Sequence, residues 1–259
     1  MPAALRSGRV TPKMHFRTRP RPDVPGPMLS AVRRRLPLGA RTDSVELLDS
    51  GRLSPPEVEA NLDDLARLNR LPGGTAASIA AVRRLMAPGN APRILAVGTG
   101  RCDMPLAFAA RGWEVVAADT NPGVLAIARR ELGPASIEVV EADVRDLPFA
   151  DGAFDVAHAS LLVHHLDPAG VVAGLRELGR VASRGVVIND LRRGLLPLLA
   201  TAVSVAVIGR SRVTRSDGLA SARRAYTLEE LDRMLAAAGL ATRWRSAGWM
   251  PRVVTAAAS

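Results

Sequence analysis

Two glycines, three acids and a pair of histidines are the residues of this 259-residue chain whose types and spacing could do chemistry. Gly98 and Gly100, with Thr99 between them, follow the apolar run ILAV. Lacking Cβ atoms, they let the backbone turn sharply and approach a ligand. Asp119 closes the next apolar run 21 residues after Gly98, with Thr120 behind it. A carboxylate at that place can accept both hydroxyls of a ribose. Asp143 and Val144 follow a third run, Ser160 ends a fourth, and His164 and His165 stand just beyond it. Asp190 ends a fifth. A histidine or carboxylate at the mouth of a pocket can take a proton from a substrate. Adjacent side chains point apart, so the pattern favours His164 over His165 as the group facing an acceptor. The plain alternatives are a tight turn for the glycines and capping or packing for the histidines.

Such residues work only if strands and helices present them at one edge. Ile94 to Val97, Glu114 to Ala118, Ile137 to Val140, Phe154 to Ala159 and Gly185 to Ile188 read as short strands. Helices are expected over Pro105 to Arg111, Pro122 to Leu132 and Pro168 to Val181, the first two closed by Gly112 and Gly133. This alternation predicts an α/β fold, a Rossmann-like doubly wound sheet of parallel strands with crossover helices on both faces. Upstream, Ser54 followed by Pro55, Pro56 and Glu57 marks a helix start, and Leu62, Leu65, Leu68 and Leu71 follow. With a second helix over Thr75 to Met86 it predicts an N-terminal helical layer. Downstream, Thr227 with Glu230 caps a helix to Ala238, and strands are expected near Ala241 to Arg245 and Arg252 to Ala256.

The formal charge of +10 is local. Met1 to Arg41 holds ten Lys or Arg against Asp23 alone, while the rest of the chain is almost neutral. This Pro- and Arg-rich stretch lacks apolar periodicity and is expected to be a disordered tail. Without interleaved aromatic residues it gives little reason to expect a nucleic-acid partner. The predicted organisation is therefore a tail over 1–41 and a catalytic-sized domain over 42–259. Within that domain, 42–91 is a helical cap, 92–259 the core, and 191–226 a lid or substrate segment. The run Leu195 to Ile208 has 14 residues, short of the ~20 that cross a bilayer, and is expected to be a buried or lid helix. The single cysteine, Cys102, excludes an internal disulfide. Four scattered histidines offer no ordinary metal pattern, and no metal is expected. A cytoplasmic, reducing setting is the default.

More specific strings are LARLNRLPGG, GTGRCDMPLA, LLVHHLDP, VVINDLRR and SDGLASARRAYTLEEL. Through them the chain from about Thr42 onward resembles class I S-adenosylmethionine-dependent methyltransferases, in the group that includes the ubiquinone and menaquinone biosynthesis enzymes. It looks closest to a bacterial subgroup often found beside type III polyketide synthases. The resemblance implies a seven-stranded sheet with one antiparallel strand and S-adenosylmethionine as cofactor. Gly98, Thr99 and Gly100 would line its methionine part, Asp119 and Thr120 its ribose, Asp143 and Val144 its adenine, with Ser160 following on the fourth strand.

The implied acceptor is a small apolar phenol or quinone, methylated on oxygen in secondary metabolism, with His164 and Asp190 as catalytic groups. Asn69, His165, Asp217, Arg224 and Tyr226 would orient it. The alternatives are a quinone-ring C-methyltransferase, a catalytically weak scaffold of the same fold, and, more distantly, a nicotinamide reductase. Two positions depart from the family: Ala96 stands where it usually has Asp, and Cys102 where it usually has Gly. Loss of that carboxylate is expected to weaken cofactor binding by about 1 to 3 kcal/mol.

Overall fold

The computed structural model of the chain describes residues 41–42, 46–132, 137–246 and 251–259. Of the tail expected over 1–41, residues 1–40 lie outside the described residues, and Arg41 is described. Two helices come first, α1 (Pro55–Leu68) and α2 (Thr75–Leu85). The alternating part follows: β1 (Arg93–Val97), α3 (Asp103–Ala109), β2 (Glu114–Asp119), α4 (Pro122–Leu132), β3 (Glu138–Glu141), β4 (Phe154–Ser160), α5 (Pro168–Val181) and β5 (Ala182–Leu191). Three helices then interrupt the sheet, α6 (Leu195–Ile208), α7 (Arg212–Arg224) and α8 (Leu228–Ala237). β6 (Ala241–Arg245) and β7 (Arg252–Ala258) close it.

The seven strands lie in the order β3-β2-β1-β4-β5-β7-β6. β1 to β5 pair in parallel, and β7 runs antiparallel to both its neighbours. The order reverses between β1 and β4, which opens a crevice at the carboxyl ends of those strands. One apolar layer packs α5 and α8 against the sheet through Leu175, Leu178, Leu231 and Leu235. The opposite layer packs α2 and α3 through Ile79, Val82 and Phe108.

Helix α7 was not expected from the sequence, where 191–226 reads only as a lid segment. Its RVTRSDGLASARR has no apolar stripe, and contacts hold it instead. Ser211 Oγ caps it by accepting from Val213 N–H at 3.1 Å, and Asn61 Nδ2 donates to Thr214 Oγ1 at 3.1 Å. Gly218 lets α6 and α7 meet closely, since a Cβ there would lie 2.6 Å from Val205 Cγ1.

Candidate active site

The crevice is a cavity of about 1240 Å³. That exceeds the roughly 300 to 1,000 Å³ of a site for one small molecule, so two ligands have room. Its β1 side is built by the glycine turn. Gly98 has φ 76°, and a Cβ on it would come to 3.0 Å of the Ser160 carbonyl. Only glycine keeps the turn this close to the end of β4 without strain. Asp119 accepts at Oδ2 from Thr99 N–H (3.1 Å) and at Oδ1 from Asn121 N–H (3.0 Å). Burial raises its carboxyl above the usual range, and these backbone donors oppose that rise. Thr99 Oγ1 is buried without a hydrogen-bond partner. Thr99, Gly100, Thr120, Val144 and Ser160 all line the cavity.

Asp143 also borders it, but its carboxylate is engaged. Arg145 Nε donates to it at 2.9 and 3.1 Å and Nη2 at 2.5 Å, which together hold the carboxyl below its usual range. An adenine amine would have to share this acceptor with Arg145.

Neither departure from the family pattern faces the cavity. Ala96 is 3% exposed and belongs to the apolar layer under α2 and α3. Cys102 enters α3 with φ 63°, the left-handed conformation that glycine adopts at least cost, and its side chain is fully buried in the same layer. Burial pushes its thiol up to about 12, so it is unreactive. The expected weakening of cofactor contacts through residues 96 and 102 therefore has no direct route in this structure.

The β4 to β5 side holds the titratable groups. His164 Nδ1 and Asp190 Oδ1 lie 2.5 Å apart, and the His164 backbone N–H donates to Asp190 Oδ2 at 3.2 Å. Both residues are buried, and His164 borders the cavity while Asp190 stands behind it. Burial would raise the Asp190 carboxyl, but the charge and hydrogen bond of His164 carry it below its usual range. This contact occupies Nδ1 and leaves Nε2 on the far edge of the ring.

Sequence reasoning missed the group facing that nitrogen. Glu46 Oε1 lies 3.7 Å from His164 Nε2, Glu46 Oε2 lies 3.8 Å from His165 Nε2, and Ser221 Oγ donates to Oε1 at 2.7 Å. Asp217 brings this segment in by accepting from the backbone N–H groups of Leu47 (3.0 Å) and Leu48 (3.1 Å). No motif surrounds Glu46, and only the fold puts it here. The sequence gives no metal pattern, yet ligand atoms of Glu46, His164 and His165 lie within 4.8 Å of one another. Arg224 Nη1 is 3.6 Å from Glu46 and already sets a positive charge beside that carboxylate.

The residues expected to orient an acceptor divide. Asn69, His165 and Asp217 line the cavity, whereas Arg224 and Tyr226 do not. Arg224 Nη2 donates to the His165 carbonyl at 2.9 Å, and Tyr226 donates its hydroxyl to the Leu166 carbonyl at 2.7 Å. Both brace the histidine turn from behind. Arg41 joins them, donating to the Arg224, His164 and Leu166 carbonyls and lying 4.7 Å over the Tyr226 ring. The folded part thus includes Arg41. Across the cavity, Leu196, Leu199 and Val203 of α6 form an apolar wall on one helix face, and all three are more than half exposed.

A family model described as "Methyltransferase domain" matches residues 94–185. A demethylmenaquinone methyltransferase of Clavibacter sepedonicus is 39% identical over 123 residues, 46% of this chain and 49% of that protein. The match thus spans about half the length of that relative. The demethylmenaquinone methyltransferase of Corynebacterium urealyticum is 33% identical over 180 residues, 64% of this chain and 73% of that one. Among solved structures, a SAM-dependent methyltransferase from Aquifex aeolicus superposes with a TM-score of 0.56 at 18% identity, covering 80% of this chain and 98% of that one. The CcbJ methyltransferase from Streptomyces caelestis gives 0.55 at 17%, covering 73% and 90%. At these identities the two structures speak for the fold.

Proposed function

Because the chain belongs to the class I S-adenosylmethionine-dependent methyltransferases, in the group of the demethylmenaquinone enzymes, we propose that it methylates the ring of a small apolar quinol or phenol. The observation that carries this reading is the pairing, in one cavity, of the buried His164–Asp190 couple with the apolar wall of α6. The cofactor half supports it. The unpartnered Thr99 hydroxyl and the glycine turn against Ser160 fit a ligand laid along the backbone, and Asp119 keeps lone pairs for a ribose diol.

S-adenosylmethionine, when bound, supplies an electrophilic methyl group on sulfonium. The chain's own part is to place the acceptor in line with that carbon and to remove a proton. His164 Nε2 takes the hydroxyl proton of the acceptor, and Asp190 stabilises the imidazolium that results. The phenolate so formed is nucleophilic at its oxygen and at the ring carbon beside it. Attack through carbon, the outcome favoured by the names of the relatives, ends with loss of the ring hydrogen as a proton. Attack through oxygen, the second reading, is favoured by the position of His164, because a base beside the hydroxyl also leaves that oxygen charged. The α6 wall covers the apolar body of the acceptor and excludes water.

The test is turnover with S-adenosylmethionine and a panel of short-tailed demethylmenaquinols and alkyl phenols, with NMR of the product to locate the methyl group. A ring-methylated quinol is the expected product, and a methyl ether selects the second reading. Methylation of neither acceptor class, by protein that binds the cofactor, would refute the assignment.

A further inference from the structure

Glu46, His164 and His165 all line the cavity, brought together from two distant stretches of chain. Adjacent side chains are expected to point apart, yet the rings of His164 and His165 lie with their centroids 4.2 Å apart. Glu46 Oε1 is 3.7 Å from His164 Nε2, Oε2 is 3.8 Å from His165 Nε2, and ligand atoms of all three residues fall within 4.8 Å of one another. Donors around a tetrahedral zinc-sized ion stand roughly 3.4 Å apart, so shifts of about an ångström or less per side chain seat one here. Two of the three are already braced. Asp190 Oδ1 lies 2.5 Å from His164 Nδ1, and a carboxylate behind an imidazole is the usual support of a metal-ligating histidine, fixing the ring and strengthening its other nitrogen as a donor. Ser221 Oγ holds Glu46 at 2.7 Å. Arg224 Nη1, 3.6 Å from Glu46, and Arg41, bonded to the His164 carbonyl, bring positive charge to the same corner. Glu46, Asp190 and Asp217 set three carboxylates against these two guanidiniums, so the corner keeps negative charge for a cation.

We propose that Glu46, His164 and His165 form a site for one divalent cation of the zinc class, with its remaining coordination position open to the cavity. Two imidazoles and a carboxylate suit zinc, cobalt or nickel, whereas magnesium and calcium prefer oxygen donors alone. The open position takes water or a hydroxyl of whatever lies in the cavity. The site stands on these side chains alone, but its consequence for turnover rests on the reading above, in which His164 Nε2 accepts the acceptor's proton. That nitrogen cannot hold an ion and accept a proton at once. A bound ion is therefore an inhibitor that removes the base.

The experiment uses the full chain, without an affinity tag and stripped of metal by chelation, at neutral pH. Zinc and magnesium are titrated separately by calorimetry, and cobalt by visible absorption. Zinc should fill one site per chain with a dissociation constant of about 1 μM or below, as three protein ligands allow, and magnesium should give no heat. Cobalt should develop the visible bands of a four- or five-coordinate site. His165→Gln and Glu46→Gln should each weaken zinc by about thirtyfold or more and remove the cobalt bands, while Asp190→Asn, acting through His164, should weaken zinc by about ten- to a hundredfold. Wild-type protein that gives neither zinc binding nor cobalt bands overturns the proposal. So do His165→Gln and Glu46→Gln variants that bind zinc as wild type does, which would put the ion elsewhere. Turnover is a separate arm: zinc should stop methylation at the concentration that fills the site. Binding at these residues that leaves turnover intact keeps the site and refutes His164 as the base, an outcome distinct from failure to bind.

Discussion

Ala96→Asp sets the family's usual residue into this chain, and the structure predicts that it costs stability without tightening the cofactor site. Ala96 is 3% exposed in the layer that holds Ile79, Phe108, Val187 and Val254, and its register partners on the flanking strands are Ala117 and His158. His158 is the polar neighbour, and its Nε2 is already 2.9 Å from Ser78 Oγ. A carboxyl placed there loses its hydration, which raises its pKa by roughly 2 to 3 units. Each unit costs about 1.4 kcal/mol, so the expected loss is about 3 to 4 kcal/mol at neutral pH. For a domain of this size that lowers the melting temperature by on the order of 10 °C. The assay is thermal unfolding without ligand, followed by calorimetric titration with S-adenosylhomocysteine, whose affinity should stay within about threefold of wild type. An unchanged melting temperature together with tenfold tighter binding, roughly the gain a restored charge-assisted contact would bring, would refute the placement of residue 96.

Further outcomes follow from the same structure. Burial, with the Arg252 charge adding to it, pushes His158 down to about 3, so between about pH 6.5 and 3 the unfolded chain carries a proton that the native chain lacks. Its folded pKa is depressed, so its contribution is full above about pH 6.5 and falls by up to about 1.4 kcal/mol per pH unit below it. His158→Gln should flatten that acid slope in urea titrations, and an unaltered slope would place the titration elsewhere. His164→Gln should lower kcat by roughly 10² to 10⁴ while S-adenosylhomocysteine affinity holds, with Asp190→Asn giving a smaller loss and a shifted pH profile. A kcat within a few fold of wild type, well short of the ~10² expected of a lost base, would remove His164 from proton transfer. Asp119→Ala should weaken S-adenosylhomocysteine by roughly tenfold or more, and a smaller change in titration would mean that the ribose lies elsewhere.

The sheet and much of the pocket were legible because their residues obey short-range rules. Pro122–Leu132, Pro168–Val181, Leu195–Ile208 and Ala241–Arg245 lie where the sequence sets them, since prolines at helix starts and apolar periodicity act locally. Gly98, Asp119 and Asp190 sit at strand ends and His164 in the short turn after β4, where a doubly wound sheet gathers its polar groups whatever the details of packing. What was not legible depends on parity and on distant contacts. Val97 borders the cavity while its neighbour Ala96 turns into the layer under α2, because successive strand side chains point to opposite faces. Nothing in ILAVGTG says which face is covered. Glu46 is held beside the histidines by Ser221 and, through the backbone of Leu47, by Asp217, 170 residues beyond Leu47. Arg252 borders the cavity from the head of an apolar strand, where periodicity suggests only a boundary. Tyr226 and Arg224 share a motif with Asp217 yet do not line the cavity, because they bond instead to the carbonyls of Leu166 and His165.

The most direct measurement is calorimetric titration of the folded protein with S-adenosylhomocysteine and, separately, with a nicotinamide dinucleotide. The account predicts saturable binding of the first at one site per chain and no heat from the second. Its contradiction would be a folded protein that gives neither heat nor a thermal shift with S-adenosylhomocysteine, or one that takes up the dinucleotide instead.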